Sequence, residues 1–265
     1  MYFKQPSARE LKFSEWMLSP WRRWTRPHFR GMENVPDERP LLFVGNHTLY
    51  GILDVPFLFF ELYREHGIFL RSLAHKFHYR VPGWRDALSH FGAVEGTREN
   101  CGALMDQGEC VLVFPGGGRE VSKRKGEKYE LIWGERLGFV KMAIQHQCTI
   151  VPFASVGVED MFDIIFDGHQ LMRSPLGPLL EELKLHPELM FPISKGMGPT
   201  PLPRPERIYM QLMEPIQMAP FDGCEDDEEV LRQVRGLVHG AISRGIDELK
   251  HYRETDPHRY LDAIV

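Results

Sequence analysis

The stretch Pro40-Leu41-Leu42-Phe43-Val44-Gly45-Asn46-His47 decides the fold. Leu41 to Gly45 is a short, dense apolar run with no polar alternation, the pattern of a strand buried on both faces. It delivers the chain to a polar pair, Asn46-His47. In open α/β sheets ligands and catalytic groups collect at the carboxyl ends of strands, so chemistry is expected here first.

Reading outward, Val55 to Tyr63 looks helical and Ile68 to Ser72 looks like a second strand. Gly92 to Val94 and Cys110 to Phe114 read as strands around a helix centred on Ala103, Leu104 and Met105. Leu137 to Ile144 suits a helix, Thr149 to Ala154 an inner strand and Ile208 to Met213 one more strand. Such alternation predicts an α/β single domain, with a mixed, largely parallel sheet flanked by helices. Three regions are expected: an amphipathic segment 1–30, a main domain 31–220 and a C-terminal helix within 221–265 that packs on it. The helix is read over Asp226 to Tyr252, from apolar residues at helical spacing and an acidic start suited to the helix dipole. Between Ser174 and Pro205, recurring prolines and glycines limit regular structure and predict a cap over the fold or over a substrate tunnel.

A net charge of −5, from 37 acidic and 32 basic residues, gives no global positive field, and no nucleic-acid partner is expected. Cys101, Cys110, Cys148 and Cys224 form no Cys-x-x-Cys pair, which fits a reducing, cytoplasmic compartment. No secretory signal is read in the first thirty residues. Nor is there a run near the roughly 18 apolar residues of a membrane-spanning helix. Phe13, Trp16, Met17, Trp21 and Trp24 among Arg22, Arg23 and Arg26 suit the boundary between lipid headgroups and acyl chains, or a helix packing its indoles on the domain.

His47 offers a base and Asp54 a carboxylate to orient it. On one continuous helix the two would stand about 10 Å apart, too far to bond. Gly51 and Pro56 make a loop over 48–53 the better reading, one that returns Asp54 towards His47. Asp54 as a plain cap of the following helix remains the alternative. Phe114-Pro115-Gly116-Gly117-Gly118-Arg119-Glu120 follows a strand, and its glycines let backbone N–H groups approach an anion. It is neither a P-loop nor a dinucleotide fingerprint. Arg98 lies just beyond another strand, where it serves either a phosphate or a helix cap. Lys123, Arg124, Lys125 and Lys128 suit phosphates, although the interleaved Glu120, Glu127 and Glu130 equally suit a solvated loop. His75-x-x-His78 lacks a third metal ligand, and no metal is expected.

Taken in order, Asn46-His47 with Asp54, Gly92 to Arg98, Phe114 to Glu120 and Ile150-Val151-Pro152-Phe153 resemble the four blocks of the glycerolipid acyltransferase superfamily. The Phe-Pro-Gly-Gly-Gly-Arg-Glu form is most similar to the diacylglycerol acyltransferase and phytyl ester synthase-like branch. The resemblance implies His47 and Asp54 as catalytic residues and Arg98, Gly116, Gly117, Gly118, Arg119 and Glu120 as substrate-binding. It implies no cofactor beyond an acyl-CoA or acyl-ACP co-substrate, and a lipid alcohol as acceptor; the aromatic and cationic residues of the N-terminal segment add an expected peripheral contact with a membrane surface. Two departures stand out: six residues rather than four separate His47 from Asp54, and Gly116 stands where phospholipid-making members carry glutamate. The second favours a neutral acceptor such as diacylglycerol or a long-chain alcohol over 1-acylglycerol 3-phosphate. Phe57, Leu58, Phe59 and Phe60 are expected to wall an acyl groove. The rival readings are a non-catalytic lipid-binding or transfer protein, and a serine esterase using Ser155, whose elbow has Phe153 where glycine is needed.

Overall fold

A computed structural model of the protein describes residues 5–74, Tyr79 and residues 83–260. His75 and His78 lie outside the described residues. Among those described, no group of three metal-ligating side chains converges.

The decisive run forms strand β2 (Leu41–Gly45), with β5 (Cys110–Val113) and β6 (Thr149–Val156) parallel to it on either side. Together with β1 (His28–Arg30), β3 (Leu70–Ala74), β4 (Val94–Glu95) and β9 (Tyr209–Leu212) they build a seven-stranded sheet, ordered β1-β9-β6-β2-β5-β3-β4. The β6–β9 pair is antiparallel and the other pairs are parallel, so the sheet is mixed and largely parallel, as expected.

Leu41, Leu42, Phe43 and Val44 are all fully buried, yet alternate residues serve different cores. Leu42 and Val44 meet Leu104 of α4 (Arg98–Asp106), Val140 of α6 (Gly138–Gln145) and Val234, Val238 and Ile242 of α9 (Glu228–Thr255). Leu41 and Phe43 meet Phe57, Leu58 and Leu62 of α2 (Val55–His66). The missing polar alternation therefore has a plain cause: helices cover both faces. Each such side chain contributes about 1.5–3 kcal/mol of burial. Phe57 and Leu58, expected to wall an acyl groove, are 1% and 0% exposed and belong to the core instead.

Helix α9 starts where its acidic cluster places it, with the Asp227 carboxylate accepting the N–H groups of Glu229 and Val230. Helix α1 (Ala8–Thr25) opens on a capping box between Ser7 and Glu10. Its aromatic residues divide between the two readings of the sequence. Trp21 Nε1 donates to Leu53 O (2.7 Å) and Trp24 Nε1 to Pro203 O (3.2 Å), while Phe13, Trp16 and Met17 face outward. No helix among the described residues is long and apolar enough to cross a membrane.

The proline-rich stretch and the segment just before it contain more regular structure than their composition suggests. Strands β7 (Asp163–Phe166) and β8 (Ile193–Lys195) pair as an antiparallel ribbon, with α7 (Gly168–Met172) and α8 (Gly177–Glu182) between them. These elements are one or two turns long, too short for periodicity to reveal. The same holds for α5 (Gly118–Val121). Leu176, Leu179 and Leu183 of this region are exposed.

Candidate active site

Because β2, β5 and β6 run parallel side by side, their carboxyl ends bring His47, Phe114 and Ser155 to one edge of the sheet. Beyond β2 the chain turns through two left-handed residues, Tyr50 (φ +66°) and Gly51 (φ +67°). A Cβ on Gly51 would stand 2.6 Å from His47 Cε1 and 2.6 Å from Val121 Cγ1, so only glycine lets the loop fold over the ring. Tyr50 holds the same backbone region with a side chain, which costs of order 1–3 kcal/mol. Three contacts offset that: its N–H donates to Val121 O (3.1 Å), and its hydroxyl meets Ser194 Oγ (2.5 Å) and Pro192 O (3.2 Å). Tyr50 thereby ties the histidine loop to the β7–β8 ribbon.

The half-buried His47 imidazole stacks on Phe114, with ring centroids 3.8 Å apart and planes 6° from parallel. Its backbone N–H donates to Glu120 Oε2 (2.9 Å), and its Nδ1 has no hydrogen-bond partner. Burial, and secondarily the charge of Lys123, lowers its pKa to about 3. The ring is therefore neutral near pH 7, the form that can accept a proton.

A linkage follows from this shift. Below about pH 6.5 the unfolded chain protonates this histidine, while the folded ring stays neutral down to about 3. The unfolded state then binds more protons, so stability is lost as pH falls through that window. Thermal denaturation from pH 7 to 4 is expected to show a shallower loss of stability in His47→Phe, which keeps an aromatic ring, than in the wild type. Identical slopes would remove His47 from the acid response.

Residues 48–53 loop as expected and bring Asp54 back to Thr48, the residue after His47, yet the expected Asp54–His47 hydrogen bond is not formed. Asp54 Oδ1 accepts Thr48 Oγ1–H (2.9 Å) and Val55 N–H (3.0 Å), and Oδ2 accepts Ser155 Oγ–H (2.5 Å). Three donors occupy both oxygens of the 2% exposed carboxylate, and the ring is not one of them. Asp54 thus caps α2 and fastens the start of the histidine loop to the end of β6. Ser155 is itself fully buried with its hydroxyl committed to Asp54, which removes it as an esterase nucleophile.

Glu120 also differs from expectation. It is 0% exposed, and its two oxygens accept His47 N–H and Ile132 N–H, each at 2.9 Å, so it has no face for a substrate. Burial pushes its carboxyl upward, opposed by Lys123 and by these two N–H groups. Gly116 is buried directly against it, because a Cβ there would lie 2.1 Å from Glu120 Cδ. Gly117 takes φ +52° and donates its N–H to Phe114 O (3.0 Å), closing the turn. Gly118 is exposed at the start of α5. Arg119 is bound to Glu127 Oε1 (2.5 Å).

Residues 26–156 match the acyltransferase family model. They form an acyltransferase-family domain. Over 247 residues the chain is 33% identical to phytyl ester synthase 1 of Arabidopsis thaliana, covering 87% of this chain and 35% of the relative. It is 26% identical to the Bos taurus enzyme named "DGAT1/2-independent enzyme synthesizing storage lipids", covering 83% of this chain and 60% of that one. The chain therefore spans about a third of the plant relative's length. The 1-acyl-sn-glycerophosphate acyltransferase of Thermotoga maritima shares the fold, with a TM-score of 0.50 and 16% identity over 91% of this chain and 83% of that one.

Arg98 opens α4 at the far side of the acyltransferase domain. Strand β4, which precedes it, lies three strands from β2, roughly 14 Å at about 4.8 Å per strand. Its side chain is exposed, and the structure does not bring it to His47 by any hydrogen bond or ion pair. Sequence reading missed Thr48, which anchors Asp54, and Arg136, which donates to Pro115 O (2.5 Å) and stands over Gly117. It also missed Glu159, buried in a 2.6 Å ion pair with Lys123. Nothing in local spacing signals Arg136 or Glu159, because each reaches the site from a separate stretch of chain.

Proposed function

We propose that the protein transfers a fatty acyl group from acyl-CoA or acyl-ACP to the hydroxyl of a neutral lipid, with His47 as general base. The observation that carries this reading is a neutral imidazole, stacked on Phe114 and roofed by Gly51, where three parallel strands end. The acceptor oxygen attacks the thioester carbonyl as His47 takes the hydroxyl proton. The tetrahedral intermediate then collapses, the C–S bond breaks, and the leaving thiolate recovers a proton from the imidazolium. Asp54 acts as a positioning residue through Thr48 and Ser155.

A neutral acceptor, such as diacylglycerol or a long-chain alcohol, is supported by the phytyl ester and storage-lipid relatives. Arg119 supports it as well, because its guanidinium is already engaged by Glu127 and is not free for an acceptor phosphate. The outward Phe13, Trp16 and Met17, with Arg22 and Arg23 in the last turn of α1, suit peripheral contact with a membrane on its cytoplasmic side.

Purified protein incubated with labelled acyl-CoA should esterify diacylglycerol or a long-chain alcohol at least tenfold faster than 1-acylglycerol 3-phosphate. Label recovered only as bound lipid would mark a carrier, and preference for the phosphorylated acceptor would overturn the neutral-acceptor reading.

A further inference from the structure

Beside the histidine loop opens a pocket of about 190 Å³ with an apolar floor of Leu49, Phe162 and Ile164. The segment Lys123 to Lys128 lines it as well and contributes four cations, against the two carboxylates of Glu159 and Asp163. Both carboxylates are already answered, Glu159 by Lys123 and Asp163 by Arg204. On the rim, Arg124 reaches Glu188 (3.1 Å) and Lys128 reaches Asp160 (3.3 Å). Lys125 is exposed and has no carboxylate partner among the described residues. The pocket thus combines apolar lining with one cation, Lys125, that no carboxylate among the described residues answers.

Its position bears on the reaction. Leu49 is two residues beyond His47, and Lys123 is close enough for its charge to be felt at the imidazole. At about 190 Å³ the pocket lies below the roughly 300–1,000 Å³ that encloses a whole drug-sized ligand. It suits a phosphate with the start of an uncharged arm.

We propose that this pocket receives the phosphate-bearing arm of the acyl donor, with the phosphate ester held at Lys125 and the alkyl-amide arm lying on Leu49, Phe162 and Ile164 towards His47. The proposal rests on the acyl-transfer reading above. It makes Lys125 a binding residue for the donor, with no part in the proton transfer. Phosphate esters come from a carrier thioester or from a lipid headgroup, and the two sources are separable.

Lys125→Glu is an exposed substitution that leaves the core untouched. With acyl-CoA it should raise KM about tenfold while kcat stays within about twofold. With acyl-pantetheine, which carries no phosphate, KM should be unchanged by the substitution. Equal effects on both donors, or none on either, would overturn the proposal. So would loss of binding to phosphatidylglycerol vesicles with the acyl-CoA KM unaltered, which would assign the rim to a headgroup. If the wild type transfers from no donor, the function reading fails separately. Titration with free CoA then decides the pocket: about tenfold weaker binding by Lys125→Glu sustains it, and equal binding ends it.

Discussion

Replacing His47 by alanine is expected to lower kcat for acyl transfer by about 10²–10⁴-fold, the usual worth of a positioned general base. The fold should survive. The ring lies at the end of β2 rather than inside either core, and Gly51 and Phe114, its neighbours, keep their own backbone anchors. Far-ultraviolet circular dichroism and the melting temperature separate loss of chemistry from loss of structure. The pH profile adds a second check on the same residue. With its pKa lowered to about 3, the free enzyme's base stays unprotonated well below pH 6.5, so kcat/KM should not fall between pH 8 and pH 5 on account of this group. An acid limb near 6.5 that vanishes in a His47 variant would mean the ring is more hydrated than its packing implies. Folded His47→Ala with full activity would end its assignment as base.

Such a low proton affinity in the resting state is compatible with catalysis because burial penalises an isolated imidazolium, and the ring is not isolated during the reaction. In the proposed transfer, negative charge would develop on the thioester carbonyl oxygen beside the ring as the proton arrives. The resting site lacks that counter-charge, since Asp54 is turned to Thr48, Val55 and Ser155. Any stabilisation of the imidazolium is therefore weighted towards the transition state, which is where it accelerates the step.

The frame of the molecule was legible where burial is strongest. The run Leu41 to Val44 announced an inner strand, and the apolar spacing of 226–252 announced α9 to within a few residues, because both patterns are imposed by large apolar cores. Short elements were not legible. Helices α7 and α8 are five and six residues long, and the β7–β8 ribbon is held by contacts distant in sequence. The site divides the same way. His47 announced itself by standing where a buried strand ends. The partner of Asp54 could not be read, because the choice between His47 and Ser155 depends on where β6 ends, 101 residues away. Glu120 misled because a glutamate in a glycine-rich loop looks solvated until the loop is seen folded over it.

That folding makes Glu120 the residue whose loss should damage structure most. Its carboxylate is the acceptor for His47 N–H and Ile132 N–H, and it joins the histidine loop, the glycine loop and the segment before Trp133. Glu120→Ala leaves both N–H groups buried without an acceptor, at about 1–3 kcal/mol each, so destabilisation of roughly 2–6 kcal/mol is expected. Glu120→Gln retains one acceptor oxygen but turns an NH₂ towards the other N–H, and should lie between alanine and wild type. Both variants should lose kcat beyond what the folded fraction explains, because one of the two N–H groups is that of His47, the proposed base. Denaturant titration beside kcat per folded molecule checks the ordering. Glutamine as stable and as active as glutamate would mean that one hydrogen bond suffices and that His47 is held by its stacking on Phe114 instead.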